Sequence, residues 1–285
     1  MTTKELTLLA EKNRKRLVEV VYAAKAGHIG GDLSCLNVMT ALYFHVMKNL
    51  EPTNGVPVKG GKGQGNPERD RFVLSKGHCV EALYVCLEAK GYLKPEVLDT
   101  LGKFDSILSG HPTIEVPGIE VNSGALGHGL PIGVGMAIAA KMDKKDWKTY
   151  VMMGDGEQGE GSIYEAAMAG HKYGLDNLVA ILDRNHLQIS GNTEDVMPID
   201  NIKERWSTFG WDVIQMNGDS MEDIVKTFDT IDYNNGKPHL IVSDTTKGKG
   251  VSFMEGIAKW HHGVLNEEQC REAVAEIEAR IASMK

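Results

Sequence analysis

The chain has 285 residues, 42% of them hydrophobic and 25% charged, with a formal net charge of −8. That is the composition of an ordinary globular protein, and its acidic balance speaks against a general nucleic-acid or anionic-membrane surface, which needs excess positive charge. A phosphorylated ligand stays open, because a bound metal ion reverses the sign of a pocket locally.

Leu6, Leu9, Leu17, Val20, Val21 and Ala24 recur at helical spacing and predict a helix over residues 4–26, ended by Gly27. A second helix is expected from Ser34, as N-cap, to about Lys48. Residues 53–67, rich in glycine and proline, read as a surface loop. They do not read as a phosphate cradle, since no strand feeds them and no helix start follows directly. From residue 70 strands and helices alternate. Arg71–Ser75, Tyr150–Met153, Leu178–Leu182, Asp212–Met216 and Leu240–Ser243 read as strands, with helices to about Lys90, over Gly133–Lys141 and over 161–173 between them. This alternation predicts one α/β domain over 1–285, built on a mostly parallel sheet with helices on both faces. No stretch reaches the ~20 apolar residues of a membrane span, and Met1–Leu6 lacks the apolar core of a secretory signal. Cys35, Cys79, Cys86 and Cys270 form no CxxC pair, so reduced thiols in a cytoplasmic protein are expected.

The densest chemical signal is Gly154-Asp155-Gly156 just past an apolar strand, with Asn185 just past the next strand 30 residues later. Ligands of open parallel sheets bind at the carboxyl ends of the strands, so one strand–helix–strand passage brings both side chains to one point. A carboxylate, an amide oxygen and a nearby main-chain carbonyl are hard oxygen ligands suited to Mg²⁺ or Ca²⁺, with phosphate oxygens completing the shell. Glycines flanking Asp155 let a diphosphate approach the backbone, and the helix starting near Gly161 aims its N–H groups at that charge. Gly-Asp-Gly alone is equally compatible with a tight turn; the placement of Asn185 favours the ligand reading.

The Gly-Asp-Gly…Asn element resembles the thiamine-diphosphate motif, and its surroundings resemble the amino-terminal portion of transketolases. The likeness runs from about Lys25 to His262 through Ala26-Gly-His28, Ser75-Lys-Gly-His78, Gly110-His-Pro112, Gly124-Ala-Leu-Gly-His-Gly129 and His262-Gly263. By this resemblance Asp155, Asn185 and the carbonyl of Leu187 would bind the metal. Gly124, Ala125, Leu126, Gly156, His78 and His262 would contact the cofactor. Glu160 and Glu165 would lie at a subunit contact that communicates with its aminopyrimidine. His28, His111 and His262 would meet the sugar oxygens as catalytic groups, with His261 an alternative to His262. Imidazole suits such proton movement near neutral pH. Two departures from the family pattern are Ile29, where a proline is usual, and His128, where a glutamine is common.

The resemblance implies transfer of a two-carbon ketol unit from a ketose phosphate to an aldose phosphate, or a specialised sugar variant of that reaction, with thiamine diphosphate as cofactor. It stops at the end of the chain. The domain that binds the aminopyrimidine and supplies the activating glutamate is not matched here. The expectation is therefore a complete amino-terminal subunit of a split transketolase, joined to a carboxyl-terminal subunit in an α2β2 heterotetramer. An α subunit of a 2-oxoacid decarboxylase or dehydrogenase shares the Gly-Asp-Gly…Asn element; His28, His78 and His111 favour the ketose, which has more hydroxyls to bind. A non-catalytic cofactor-binding protein is the reading from another class.

Overall fold

The computed structural model describes residues 1–50 and 66–284. The glycine-rich stretch 53–67 lies, apart from its last two residues, outside the described residues. Helix α1 (Thr3–Ala24) opens on a capping box, in which the Thr2 hydroxyl accepts from Glu5 N–H and the Glu5 carboxylate accepts from Thr2 N–H. Helix α2 (Ile29–Ala41) starts ahead of the expected Ser34 and gives way to a wide turn over Leu42–Val46. Every residue of α2 is buried. Packing on all sides, rather than a capping side chain, sets its start, and Ser34 inside it donates to Asp183 Oδ2 at 2.7 Å.

Five parallel strands follow: β1 (Arg71–Leu74), β2 (Thr149–Gly154), β3 (Leu178–Arg184), β6 (Asp212–Asn217) and β7 (His239–Asp244). They stand in the order β1-β2-β3-β7-β6. Between β3 and β6 lies a small antiparallel hairpin, β4 (Leu187–Gln188) with β5 (Gly191–Asn192). All five strands of the parallel sheet coincide with those the sequence predicts. The remaining helices are α3 (Val80–Lys90), α4 (Pro95–Leu98), α5 (Gly129–Met142), α6 (Gly161–Lys172), α7 (Thr193–Val196), α8 (Ile202–Thr208), α9 (Met221–Asp229) and α10 (Glu267–Met284).

Alternate residues of each strand enter two separate cores. Phe72, Leu74, Tyr150, Met152, Val179, Ile181 and Ile241 pack with α1, α2, α3 and α9. Val73, Val151, Met153, Leu178, Ala180, Leu182, Leu240 and Val242 pack with α5, α6 and α8. Burial on both faces explains why the strands read as continuous apolar runs. Helix α5 starts at Gly129 rather than the expected Gly133, which instead lets the helix lie on the sheet: a Cβ there would meet Val151 at 2.4 Å. With the strands parallel, their carboxyl ends collect Ser75, Asp155, Asn185 and Thr245 at one edge.

Candidate active site

A cavity of about 390 Å³ lies at that edge, lined by His28, Lys76, His78, Gly124, Leu126, Asp155, Gly156, Asn185, Leu187, Lys247 and His261, among others. Asp155 follows β2 and is 2% exposed. Its Oδ2 accepts from Arg184 Nη1 and from the Thr193 hydroxyl, both at 2.9 Å. Its Oδ1 is buried with no hydrogen-bond partner. Burial raises the Asp155 pKa, and Arg184 opposes that shift. A buried, unpartnered carboxylate oxygen beside a cavity is the situation a cation relieves.

Asn185 follows β3 and is oriented by its neighbours. Its Nδ2 donates to Asp183 Oδ2 at 3.0 Å and to the Ser34 hydroxyl at 3.3 Å, while Oδ1 accepts from Leu187 N–H at 3.2 Å. Donors on one side and an acceptor on the other fix the amide's orientation. The Leu187 carbonyl accepts from Lys247 Nζ at 3.2 Å. Asp155 Oδ1, Asn185 Oδ1 and Leu187 O thus form a set of hard oxygen donors that fits a small divalent cation. Among the described residues no three His, Cys, Asp or Glu side chains converge into a metal cage, so non-protein oxygens would have to complete the shell.

Beneath this set sits Asp183, 1% exposed. Its Oδ2 also accepts from Lys76 Nζ at 2.5 Å, and its Oδ1 from Thr245 at 2.6 Å. Glu157, in the short helical turn after Asp155, accepts from Gly127 N–H at 2.8 Å, Gly154 N–H at 3.1 Å and the Ser75 hydroxyl. It ties the Gly124–Gly129 loop to the ends of β1 and β2. Burial raises its pKa too.

Imidazoles occupy one wall of the cavity and its surroundings. The His28 ring lies 5.2 Å from that of His78, 5.8 Å from His261 and 4.7 Å from His262, and His78 and His261 stack at 5.6 Å. Burial, reinforced by the neighbouring His78, pushes His28 down to about 4; burial and the Lys247 ammonium push His261 down to about 3. His111 is lowered as well, again first by burial. These rings are neutral at pH 7 and can accept or donate a hydrogen bond. Lys247 donates to His261 Nδ1 at 2.7 Å, and its own pKa falls to about 8 through burial and the nearby Lys76. His111 stands beside Gly124, whose φ of 138° and missing Cβ, which would lie 2.5 Å from His111 Cδ2, allow the approach.

The structure therefore brings His28, His78, Gly124, Leu126, Asp155, Gly156, Asn185 and Leu187 onto one cavity, with His111 and His262 beside it. His261 lines the cavity and His262 packs edge-on against His28. Ala125, Glu160 and Glu165 are exposed, and none of them lines it. Nor does any residue of α6: the backbone nearest the cavity is Gly154–Glu157, not the helix start near Gly161. Lys76, Glu157, Asp183, Arg184 and Lys247 carry no role in the sequence reading. Lys76 and Lys247 stand just past β1 and β7, so the strand-end rule that identified Asp155 and Asn185 points to them as well.

The sequence matches the family described as transketolase, thiamine diphosphate binding domain, over residues 7–278. It is 69% identical over 285 residues to one of the subunits of the apulose-4-phosphate transketolase of Phocaeicola vulgatus, covering 100% of this chain and 98% of that one. It is 40% identical over 281 residues to the 6-deoxy-6-sulfo-D-fructose transketolase subunit SqwG of a Clostridium species, with 98% of each chain covered. The crystal structure of transketolase from Campylobacter jejuni superposes with a TM-score of 0.87 at 30% identity, covering 100% of this chain and 46% of that chain. The chain thus spans nearly the whole of the subunit relatives and about half of the single-chain enzyme. It belongs to the transketolase family, as a thiamine-diphosphate-binding domain.

Proposed function

We propose that the chain is the amino-terminal, diphosphate-anchoring subunit of a two-subunit transketolase that moves a two-carbon ketol unit from a ketose phosphate to an aldose phosphate. The observation that carries the reading is the buried, unpartnered Asp155 Oδ1 on a cavity shared with Asn185, Leu187 and the imidazoles of His28, His78 and His261. Asp155, Asn185 and the Leu187 carbonyl would hold Mg²⁺. His78, Gly124, Leu126, Gly156 and Lys247 would surround the diphosphate. Thiamine diphosphate, when bound, supplies a nucleophilic thiazolium carbon in a ring that acts as the sink for the electron pair of the cleaved carbon–carbon bond. The protein's part is to orient and to move protons. His28 and His111, with His261 or His262, would hydrogen-bond the sugar's hydroxyl and carbonyl oxygens and exchange protons with them, as imidazoles can.

The 69% identity to a chain of an apulose-4-phosphate transketolase, over the whole length, supports apulose 4-phosphate as the sugar phosphate this enzyme handles. That both of these relatives are named as subunits also supports a separate carboxyl-terminal partner chain. We assign an α2β2 assembly, in which Glu160 and Glu165, exposed on and before α6, meet a second copy and reach the aminopyrimidine side. The four free cysteines suit a reducing cytoplasm. Among the described residues no helix is long and apolar enough to cross a membrane.

The test is reconstitution. With thiamine diphosphate, Mg²⁺, apulose 4-phosphate and an aldose phosphate, the chain alone is expected to show no ketol transfer. Adding the purified partner chain should restore it, in proportion to whichever of the two is limiting. Robust transfer by this chain alone would refute the split-enzyme reading.

A further inference from the structure

The first turns of α2 and α3 hold each other through two buried acids. Asp32, in the first turn of α2, is 0% exposed, and its Oδ1 accepts from Ala82 N–H, in the first turn of α3, at 2.9 Å. Glu81, in that same turn of α3, is 3% exposed and points back across the gap. A Cβ on Gly27 would meet its Oε1 at 3.3 Å, and the side chain faces the backbone N–H of His28 at the head of α2. Each helix start is therefore served by a carboxyl from the other. These are the two helix starts whose preceding residues carry imidazoles of the cavity wall: His28 immediately precedes α2, and His78 lies in the turn that leads into α3.

The remaining oxygens, Asp32 Oδ2 and Glu81 Oε2, are both buried and neither has a hydrogen-bond partner, although the two carboxyls lie within hydrogen-bonding reach of each other. Two ionised carboxylates cannot face each other in a site closed to water; such a pair retains a proton between its oxygens. We propose that Asp32 and Glu81 share one proton and act, as that one-proton pair, as a positioning device fixing the His28 and His78 loops. What those imidazoles then do to a sugar rests on the transketolase reading above; the shared proton and the brace rest on the geometry alone.

The groups that face the pair are Lys76 and Cys79, on the segment after β1, and His28 at the head of α2. Burial is the largest influence on both acids. It pushes Glu81 up to about 8, and Asp32 upward as well, helped by the charge of Glu81. Because the two titrate together, the shared proton belongs to the pair rather than to either residue. The folded chain thus keeps a proton that an unfolded acid releases near pH 4.5. The stability that proton contributes is fully present below that pH and declines as pH rises through the value of about 8 to which Glu81 is pushed.

The experiment uses the full chain without cofactor, sugar or partner, so a failed reconstitution would leave it unaffected. Wild-type protein carrying carbon-13 at Asp and Glu carboxyls is titrated from pH 5 to 10 by NMR, alongside the ring protons of His28 and His78. A carboxyl step with a midpoint near 8 is expected, and both histidine signals should move with the same midpoint. Glu81→Gln and Asp32→Asn each supply an amide in place of the shared proton, and each should abolish the step. The idea is overturned by a wild-type chain with no carboxyl titrating above pH 7, by a step that survives in both variants, or by histidine signals that ignore it. The wild-type titration decides even if neither variant folds.

Discussion

Asp183 Oδ2 accepts from Asn185 Nδ2 at 3.0 Å, a contact two residues apart in sequence that decides which way the Asn185 amide points. The same oxygen meets Lys76 Nζ at 2.5 Å, with side chains 1% and 2% exposed, so Asp183 is also the counter-charge of a buried lysine. Asp183→Ala should lower unfolding stability by about 3–5 kcal/mol, because it leaves that ammonium uncompensated. Urea denaturation measures it. Adding Lys76→Met should recover a large part of the loss; no recovery would show that the ion pair is not its cause.

Asp155→Ala should remove the metal-dependent part of thiamine-diphosphate binding. The side chain contributes a buried, unpartnered carboxylate oxygen to the cavity, and without it a diphosphate would face the neighbouring Glu157 with less cationic compensation. Calorimetric titration with thiamine diphosphate, with and without Mg²⁺, should show a large Mg²⁺ enhancement in wild type and little in the variant. An equal enhancement in both would remove Asp155 from the metal site.

Much of this arrangement was legible in the sequence, and the gaps have physical causes. The five strands of the parallel sheet follow from short apolar runs because both faces are buried, and the placement of Asp155 and Asn185 follows from their positions past strand ends. The start of α2 was not legible. Ser34 has the chemistry of an N-cap, yet a helix buried on every side is set by packing, and the serine was used instead to hold Asp183. The hairpin β4–β5 was missed because two-residue strands leave no periodic signal. Lys76 and Lys247 stand past strand ends, where the same rule reaches them, whereas Asp183 lies within β3 and its role shows only once its buried partner Lys76 is known.

The histidine wall predicts a pronounced acid sensitivity. An exposed imidazole in the unfolded chain binds its proton near pH 6.5, whereas folded His28 does so near 4 and folded His261 near 3. Between those values the unfolded state holds more protons, so stability falls as pH drops below 6.5 and continues to fall until the folded rings protonate. The slope of stability against pH from 6 to 4.5 should carry a contribution of up to about two protons from these rings. In the His28→Asn, His261→Asn double variant that contribution should vanish. Equal slopes in the two proteins would mean that the rings titrate alike, folded or unfolded.

The final prediction separates sugar handling from cofactor anchoring. His28 and His111 approach the cavity from loops at the head of α2 and beside Gly124, whereas the oxygen donors of Asp155, Asn185 and Leu187 come from the β2 and β3 side. Neither histidine is hydrogen-bonded to Asp155, Asn185 or Leu187, whose contacts go to Arg184, Thr193, Asp183, Ser34 and Lys247. Replacing one imidazole should therefore leave the proposed metal and diphosphate site intact. In the reconstituted enzyme, His28→Ala or His111→Ala should reduce kcat/KM for the donor by on the order of 2–4 kcal/mol of transition-state stabilisation, the usual worth of one oriented contact to a charge-developing oxygen. The thiamine-diphosphate Kd should change little. The loss should fall mainly on the donor, since the donor's own hydroxyl and carbonyl oxygens are what these rings are placed to meet, and comparing acceptors at saturating donor tests that directly. A variant that lost the cofactor yet kept normal turnover when the cofactor was supplied in excess would assign its histidine to diphosphate binding instead.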